Sequence, residues 1–383
     1  MSNLATLLIV TSSYPLPDAD GREAAGSFVA DLATEISKHK RVAVVAPGPD
    51  ETVELISEKL IVYRYPAPAQ ALSSLRLTRP LDAFTILKVI ISGRRVTERA
   101  ARQTRANHVL ALWALPCGSW ARYAARRNGI GYSVWTLGSD IWSLGRLPLV
   151  RSYLRGVLSA ATRCFSDGIA LASETQKIAR RPVSFLPSTR RIEHAPCKPH
   201  QRKPPFRLTF LGRWHPNKGV DLLLAALAGL TDTQWLKIEK VDIYGGGPEA
   251  NMVHSKVAQL AAAKRPVHAH GYVSKFDAER IIESSDFLVI PSRIESIPLV
   301  FSDAAKLGCP VIVTPVGDLA PLVNKYKCGI ISSGVSELEL RTALISALNS
   351  NPQKFMQGLV KAAGEFDMER IASTLSELSD NSL

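Results

Sequence analysis

A chain of 383 residues is too long for one ordinary core, and with 46% hydrophobic and 21% charged residues it reads as two globular domains, excluding a disordered or fibrous chain. Five scattered cysteines (Cys117, Cys164, Cys197, Cys309, Cys328) without a C-x-x-C spacing argue for reduced thiols in a cytoplasm, and no uncharged apolar run reaches the roughly 18 residues of a membrane span. The formal charge of +13 lies almost wholly in residues 1–200, where 27 Lys and Arg face 15 Asp and Glu; one half alone is expected to meet an acidic partner, and without a basic, aromatic-interleaved strand motif that partner is not read as nucleic acid.

The opening M-S-N-L-A-T-L-L-I-V-T lacks a basic leader region and a cleavage site, so residues 5–11 are expected as a buried first strand. A long loop, a helix over 27–39 and strands over 41–46 and 60–65 follow. Gly26, at the start of that helix, would let backbone approach a ligand closely. Residues 76–105 carry eight Lys and Arg against Asp82 and Glu98, interleaved with Leu77, Leu81, Phe84, Leu87 and Ile91. Such a basic amphipathic stretch suits an anionic bilayer surface, and equally an ordinary surface helix with a solvated basic face. Strands over 109–112 and 132–136 flank a helix over 119–128. Asp140, in L-G-S-D-I-W, then falls at a strand's C-terminal end, where open sheets keep ligands and where a helix cap would also sit. A strand over 169–172 and a helix over 173–181 complete a first domain, 1–187.

The stretch 188–205 is rich in Pro and charge and reads as a linker. The pattern restarts in a second domain, 206–365, with strands over 208–211, 241–244, 267–270, 287–290 and 311–313 alternating with helices. Residues 366–383 form a helical tail. The alternation predicts an α/β chain of two tandem Rossmann-like, doubly wound domains with an inter-domain cleft.

Chemistry concentrates in the second domain. In I-P-S-R-I-E-S-I-P-L-V-F-S-D (290–303) a strand ends, a polar loop follows, and Pro298 is placed in the first turn of a helix. The free N–H groups and dipole of that helix make an anion site. Glu295 and Asp303 frame it, as a sugar nucleotide would require; a buried crossover with solvated carboxylates would read the same. In G-R-W-H-P-N-K-G, Arg213 and Lys218 are placed to clamp a diphosphate, or else are solvated loop charges. Gly245, Gly246 and Gly247 allow a second loop to approach. His268 and His270 have no third partner at metal-ligand spacing and read as core and edge histidines.

These segments, F-L-G-R-W-H-P-N-K-G (210–219), I-Y-G-G-G-P-E (243–249), H-G-Y-V (270–273) and P-S-R-I-E-S-I-P-L-V-F-S-D-A-A-K-L-G-C-P-V-I-V-T-P-V-G (291–317), resemble the family 4 retaining glycosyltransferases of the GT-B fold, the group 1 glycosyl transferases. The first half fits more loosely, through S-S-Y-P with G-S-F-V, W-A-L-P-C-G and T-L-G-S-D. The resemblance implies a nucleotide-sugar donor in the second domain and a glycan or lipid-linked acceptor in the first. It implies catalytic roles for Arg213, Lys218 and Glu295, with the first two on the diphosphate and the third on the transferred sugar. It places Gly26, Gly212, Gly246, Ile297, Leu299, Val300 and Asp303 around the donor, Asp303 on the ribose, and Asp140 with the acceptor. It further implies retention without a protein nucleophile and a place in cell-surface polysaccharide synthesis. The lack of a D-x-D or His/carboxylate cluster near these motifs predicts no metal or other cofactor beyond the co-substrate, and the basic stretch 76–105 suits a cytoplasmic protein peripheral on the inner membrane face.

The chain departs from the family pattern at three points. Asp303 stands for the usual Glu, Pro298 for a common Gly, and Leu137 runs into Gly138 without the His often found there. A nucleotide-sugar epimerase of the same fold and a non-catalytic scaffold of a polysaccharide assembly are the alternative readings.

Overall fold

The computed structural model describes residues 5–16, 26–68, 79–193 and 203–380. Arg76 and Leu77 of the basic stretch, and Cys197 with the middle of the linker, lie outside them. The chain divides into two compact units, Met1–Pro187 with Met368–Leu383, and Ser188–Asp367.

The first unit runs β1 (Thr6–Val10), α1 (Ser27–Ser37), β2 (Arg41–Gly48), β3 (Val53–Ser57), β4 (Leu60–Pro66), α2 (Pro80–Gln103), β5 (His108–Leu112), α3 (Ser119–Asn128), β6 (Gly131–Thr136), α4 (Ser139–Trp142), α5 (Pro148–Ser159), β7 (Cys164–Ser166), α6 (Ile169–Ala179) and β8 (Ser184–Phe185). Its sheet has the order β3-β4-β2-β1-β5-β6-β7-β8, parallel throughout except for the β3–β4 hairpin. β1 and β5 are buried along their whole length, which is why each reads as a continuous apolar run and not as an alternation.

One expectation fails here, and one strand was not foreseen. Residues 169–172 are not a strand but the first turn of α6; a four-residue apolar run cannot distinguish the two, and the neighbouring strand is the three-residue β7. The antiparallel β3 went unread because its apolar side chains point to solvent at the sheet edge, Leu55 being 74% exposed.

The second unit contains β9 (Phe206–Leu211), α7 (Val220–Ala228), α8 (Asp232–Trp235), β10 (Ile238–Tyr244), α9 (Ala250–Ala262), β11 (Val267–His270), α10 (Lys275–Glu283), β12 (Phe287–Ile290), α11 (Leu299–Lys306), β13 (Val311–Val313), α12 (Leu319–Tyr326), β14 (Gly329–Ile331), α13 (Glu337–Leu348) and α14 (Met356–Glu365). Its six strands are all parallel, in the order β11-β10-β9-β12-β13-β14. The order reverses between β9 and β12, so the loops after these strands open at a switch point, where doubly wound sheets place ligands.

The next helix, α15 (Met368–Ser376), packs on α1 in the first unit. Lys40 of that unit donates to the carbonyl of Ser376 at 2.6 Å and pairs with Asp380.

Candidate functional site

The loops after β9 and β12 meet at the switch point of the second unit's sheet. Gly219 adopts φ 68°, and a Cβ there would lie 1.9 Å from the carbonyl oxygen of Pro291, so only glycine lets the two loops touch. Gly245 likewise has φ 140° and sits against the carbonyl of Gly212, which brings the glycine loop after β10 onto the loop after β9. Trp214, 2% exposed, fastens the same contact: its N–H donates to Gly246 at 2.8 Å, and its carbonyl accepts from the N–H of Glu249 at 3.1 Å.

Lys218 and Glu295 meet directly as an ion pair across this junction, and Ser292 Oγ donates to the same carboxylate at 3.4 Å. Glu295 is largely buried while Lys218 is about one-third exposed, so the pair opens to solvent on the lysine side. Arg213 is exposed and makes no ion pair among the described residues.

The helix after Glu295 begins one residue later than expected. Pro298 is its cap, extended at ψ 139°, and α11 starts at Leu299. Proline here fixes the entry of the chain and leaves the N–H groups of Leu299 and Val300 at the helix mouth. Ile297 is buried behind them, and Leu299 and Val300 are half-buried.

Asp303, one turn further in, is 1% exposed and pairs with the guanidinium of Arg190 through Oδ2. Its Oδ1 is buried and has no hydrogen-bond partner among the described residues. Lys306 on the same helix donates to Thr189 Oγ1 at 2.5 Å and to the Arg190 carbonyl at 2.6 Å. The chain entering this unit is therefore stitched to α11 by three contacts, one ion pair and two hydrogen bonds from Lys306.

Sequence reasoning missed the residues that hold the two loops together. Arg293 donates to both carboxylate oxygens of Asp221, at 2.6 and 2.7 Å, and to the carbonyl of Pro216 at 2.9 Å. Its own N–H bonds the Asn217 carbonyl at 2.8 Å. Burial works to raise the Asp221 carboxyl, but hydrogen bonds and charge from Arg293 outweigh it and hold it below its ordinary value. The usable signal was an Arg inside P-S-R-I-E and an Asp inside N-K-G-V-D.

The two expected residues of the first unit lie in its own strand-end loops. Gly26 caps α1 at φ 103°, with Ser13 and Tyr14 occupying the space a side chain would need. Asp140 is 1% exposed and accepts from the N–H groups of Ala114 at 2.6 Å and Gly138 at 3.1 Å. It sits inside α4 and does not cap it from outside; it ties the loop after β6 to the loop after β5. Burial pushes its carboxyl up to about 6, against the lowering pull of those N–H groups.

In the second unit, His270 bonds Asp242 at 2.8 Å and stacks on Tyr244.

Residues 205–350 match the family model described as glycosyl transferases group 1. The curated D-inositol 3-phosphate glycosyltransferase of Corynebacterium glutamicum is 27% identical over 181 residues, which cover 46% of this chain and 43% of that protein. The match thus spans less than half of the relative's length. Sucrose-phosphate synthase from Thermosynechococcus elongatus superposes with a TM-score of 0.73 at 15% identity, covering 98% of both chains. Anabaena HepE, solved with UDP-glucose, superposes at 0.69 and 14% identity over 97% of this chain and 98% of its own. The fold is GT-B, two Rossmann-like α/β domains.

Proposed function

We propose that this protein is a retaining glycosyltransferase. It moves a sugar, of hexosyl type, from a nucleotide-sugar donor to a hydroxyl of a glycan or lipid-linked acceptor in the cytoplasm, in cell-surface polysaccharide synthesis. The observation that carries the reading is the Lys218–Glu295 pair, held at the switch point of a parallel sheet and followed directly by the open N-terminus of α11. The family match over this same region and a structural neighbour solved with UDP-glucose support it.

In the reaction the bond from the anomeric carbon to the donor diphosphate breaks, and negative charge collects on the departing phosphate oxygen. Arg213 and Lys218 stabilise that charge, and the α11 N-terminus adds its dipole. The acceptor oxygen bonds the anomeric carbon, and its proton passes to the departing diphosphate. Without donor, Lys218 is neutralised by Glu295; with donor, the diphosphate takes the lysine and releases the carboxylate to the sugar hydroxyls. Asp303, with its free Oδ1, is assigned to the ribose, and Asp140 to the acceptor side.

The test is incubation with a panel of nucleotide sugars, reading nucleoside diphosphate release and the anomeric configuration of the product by NMR. Release with retained configuration is expected. No binding of any nucleoside diphosphate overturns the reading; isotope exchange at the sugar C2 without acceptor replaces it with an epimerase, and donor binding without turnover on any acceptor replaces it with a scaffold.

A further inference from the structure

Helix α2 is apolar on two sides. One side packs inward through Val89, Gly93, Val96 and Ala100, with Gly93 flat against the Trp120 ring of α3. The opposite side carries Leu81, Phe84, Leu87 and Ile91, spaced three to four residues apart, and all four face solvent; Leu81 is 82% exposed. An ordinary surface helix has a polar outer face, so this stripe needs an occupant.

Basic groups continue the stripe along the same side. Lys88 lies over the Phe84 ring at 4.4 Å and Arg94 over the Tyr123 ring of α3 at 4.7 Å. Arg102, Arg126 and Arg127 are exposed beyond them. None of these five has a carboxylate partner among the described residues, whereas Arg95 and Arg99 are both taken by Glu51. The surface extends to a third helix. Ser119 of α3 bonds the hydroxyl of Tyr153 on α5 at 2.6 Å, and one turn before Tyr153 stands Leu149, 88% exposed.

We infer that α2, α3 and α5 together form a docking face for an anionic lipid bilayer. Apolar side chains enter the boundary between headgroups and acyl chains, and the unpaired cations meet the lipid phosphates. The long axis from Leu81 to Arg102 is about 32 Å, so the contact is a broad face and not a single anchor. The charge excess of residues 1–200 matches this occupant in sign, and no helix among the described residues is long and apolar enough to cross the membrane instead.

The experiment is co-sedimentation of the full chain with vesicles of phosphatidylcholine alone or with 30% phosphatidylglycerol (a composition of about that order). Binding is expected to require the anionic lipid and to fall with salt. The triple variant K88Q/R94Q/R102Q should lower affinity by about 100-fold, from about fivefold per charge. The apolar variant F84S/L87S/I91S should weaken it by about tenfold or more while keeping the wild-type melting temperature, because those residues touch no core. Equal binding to both vesicle types, or to neither, overturns the inference. So does a wild-type dimer that F84S/L87S/I91S converts to monomer, which would make this face an interface between copies of the chain.

Discussion

Arg293 grips Asp221 with both arms of its guanidinium, at 2.6 and 2.7 Å, and so fixes the loop that carries Glu295 to the helix that follows Lys218. Glu295 lies two residues beyond the arginine and Lys218 three before the aspartate. Planar two-point pairing sets orientation as well as distance, which a lysine at position 293 could not reproduce.

The first prediction follows from this grip. Arg293→Lys and Asp221→Asn should each raise the donor KM by about tenfold, and the double variant Arg293→Lys with Asp221→Asn should cost less than the two losses combined. Steady-state kinetics on the four proteins checks it. Strict additivity of the two single changes would show that the contact does not act as a unit.

A second prediction separates charge from positioning. Arg213→Ala and Lys218→Ala should slow transfer by about 100-fold or more, the scale of losing a preformed charge stabiliser. Glu295→Gln should also slow transfer, yet leave nucleoside diphosphate affinity unchanged or tighter, because the diphosphate no longer competes with a carboxylate for Lys218. Calorimetric titration decides; weaker nucleotide binding in Glu295→Gln refutes the exchange.

Asp303 gives a stability prediction. Removing the carboxylate takes from the guanidinium of Arg190, itself largely buried, its ion-pair partner on α11. Asp303→Ala should cost about 3 kcal/mol in unfolding free energy, read by chemical denaturation, and Asp303→Asn less. An alanine variant as stable as the wild type would mean that the pair contributes nothing.

The Asp140 carboxyl, raised from 3.8 to about 6, contributes with the opposite sign to a paired carboxylate. The native protein holds this proton more tightly than the unfolded chain between those two values. The charged form therefore costs stability in full above about pH 6, and the cost disappears as pH falls below about 4. Relative to Asp140→Asn, the wild type should lose about 3 kcal/mol between pH 4 and pH 7. Urea midpoints of both proteins across that range test it, and a difference independent of pH rules it out.

Metal independence is the last expectation. With Arg213 and Lys218 supplying positive charge to the departing diphosphate, the rate should persist in excess chelator. A rate abolished by chelator and restored by Mg²⁺ or Mn²⁺ would reverse the assignment.

What the chain disclosed in advance follows from what burial does to a sequence. Strands covered on both faces, such as β1, β5 and β12, are apolar at nearly every position, and they were legible. The strands β3, β7, β8 and β14 were not, being two to five residues long or, like β3, exposed. Arg213, Lys218 and Glu295 stood out because Gly and Pro punctuate their loops. Their supports did not, because Arg293 and Asp221 are 72 residues apart and Arg190 and Asp303 are 113 apart, and a single sequence carries no sign that such residues touch.

The return of α15 to the first unit alters the order in which a nascent chain can mature. Residues 188–367 emerge from the ribosome as a complete set of contacts, while the unit that was begun first still waits for the residues after 367. The first unit then closes around α1 and Lys40 only as synthesis passes residue 380. A nonsense codon after Asp367 would therefore injure the half of the protein encoded earliest, leaving α1 with a bare apolar flank and a target for quality-control proteases.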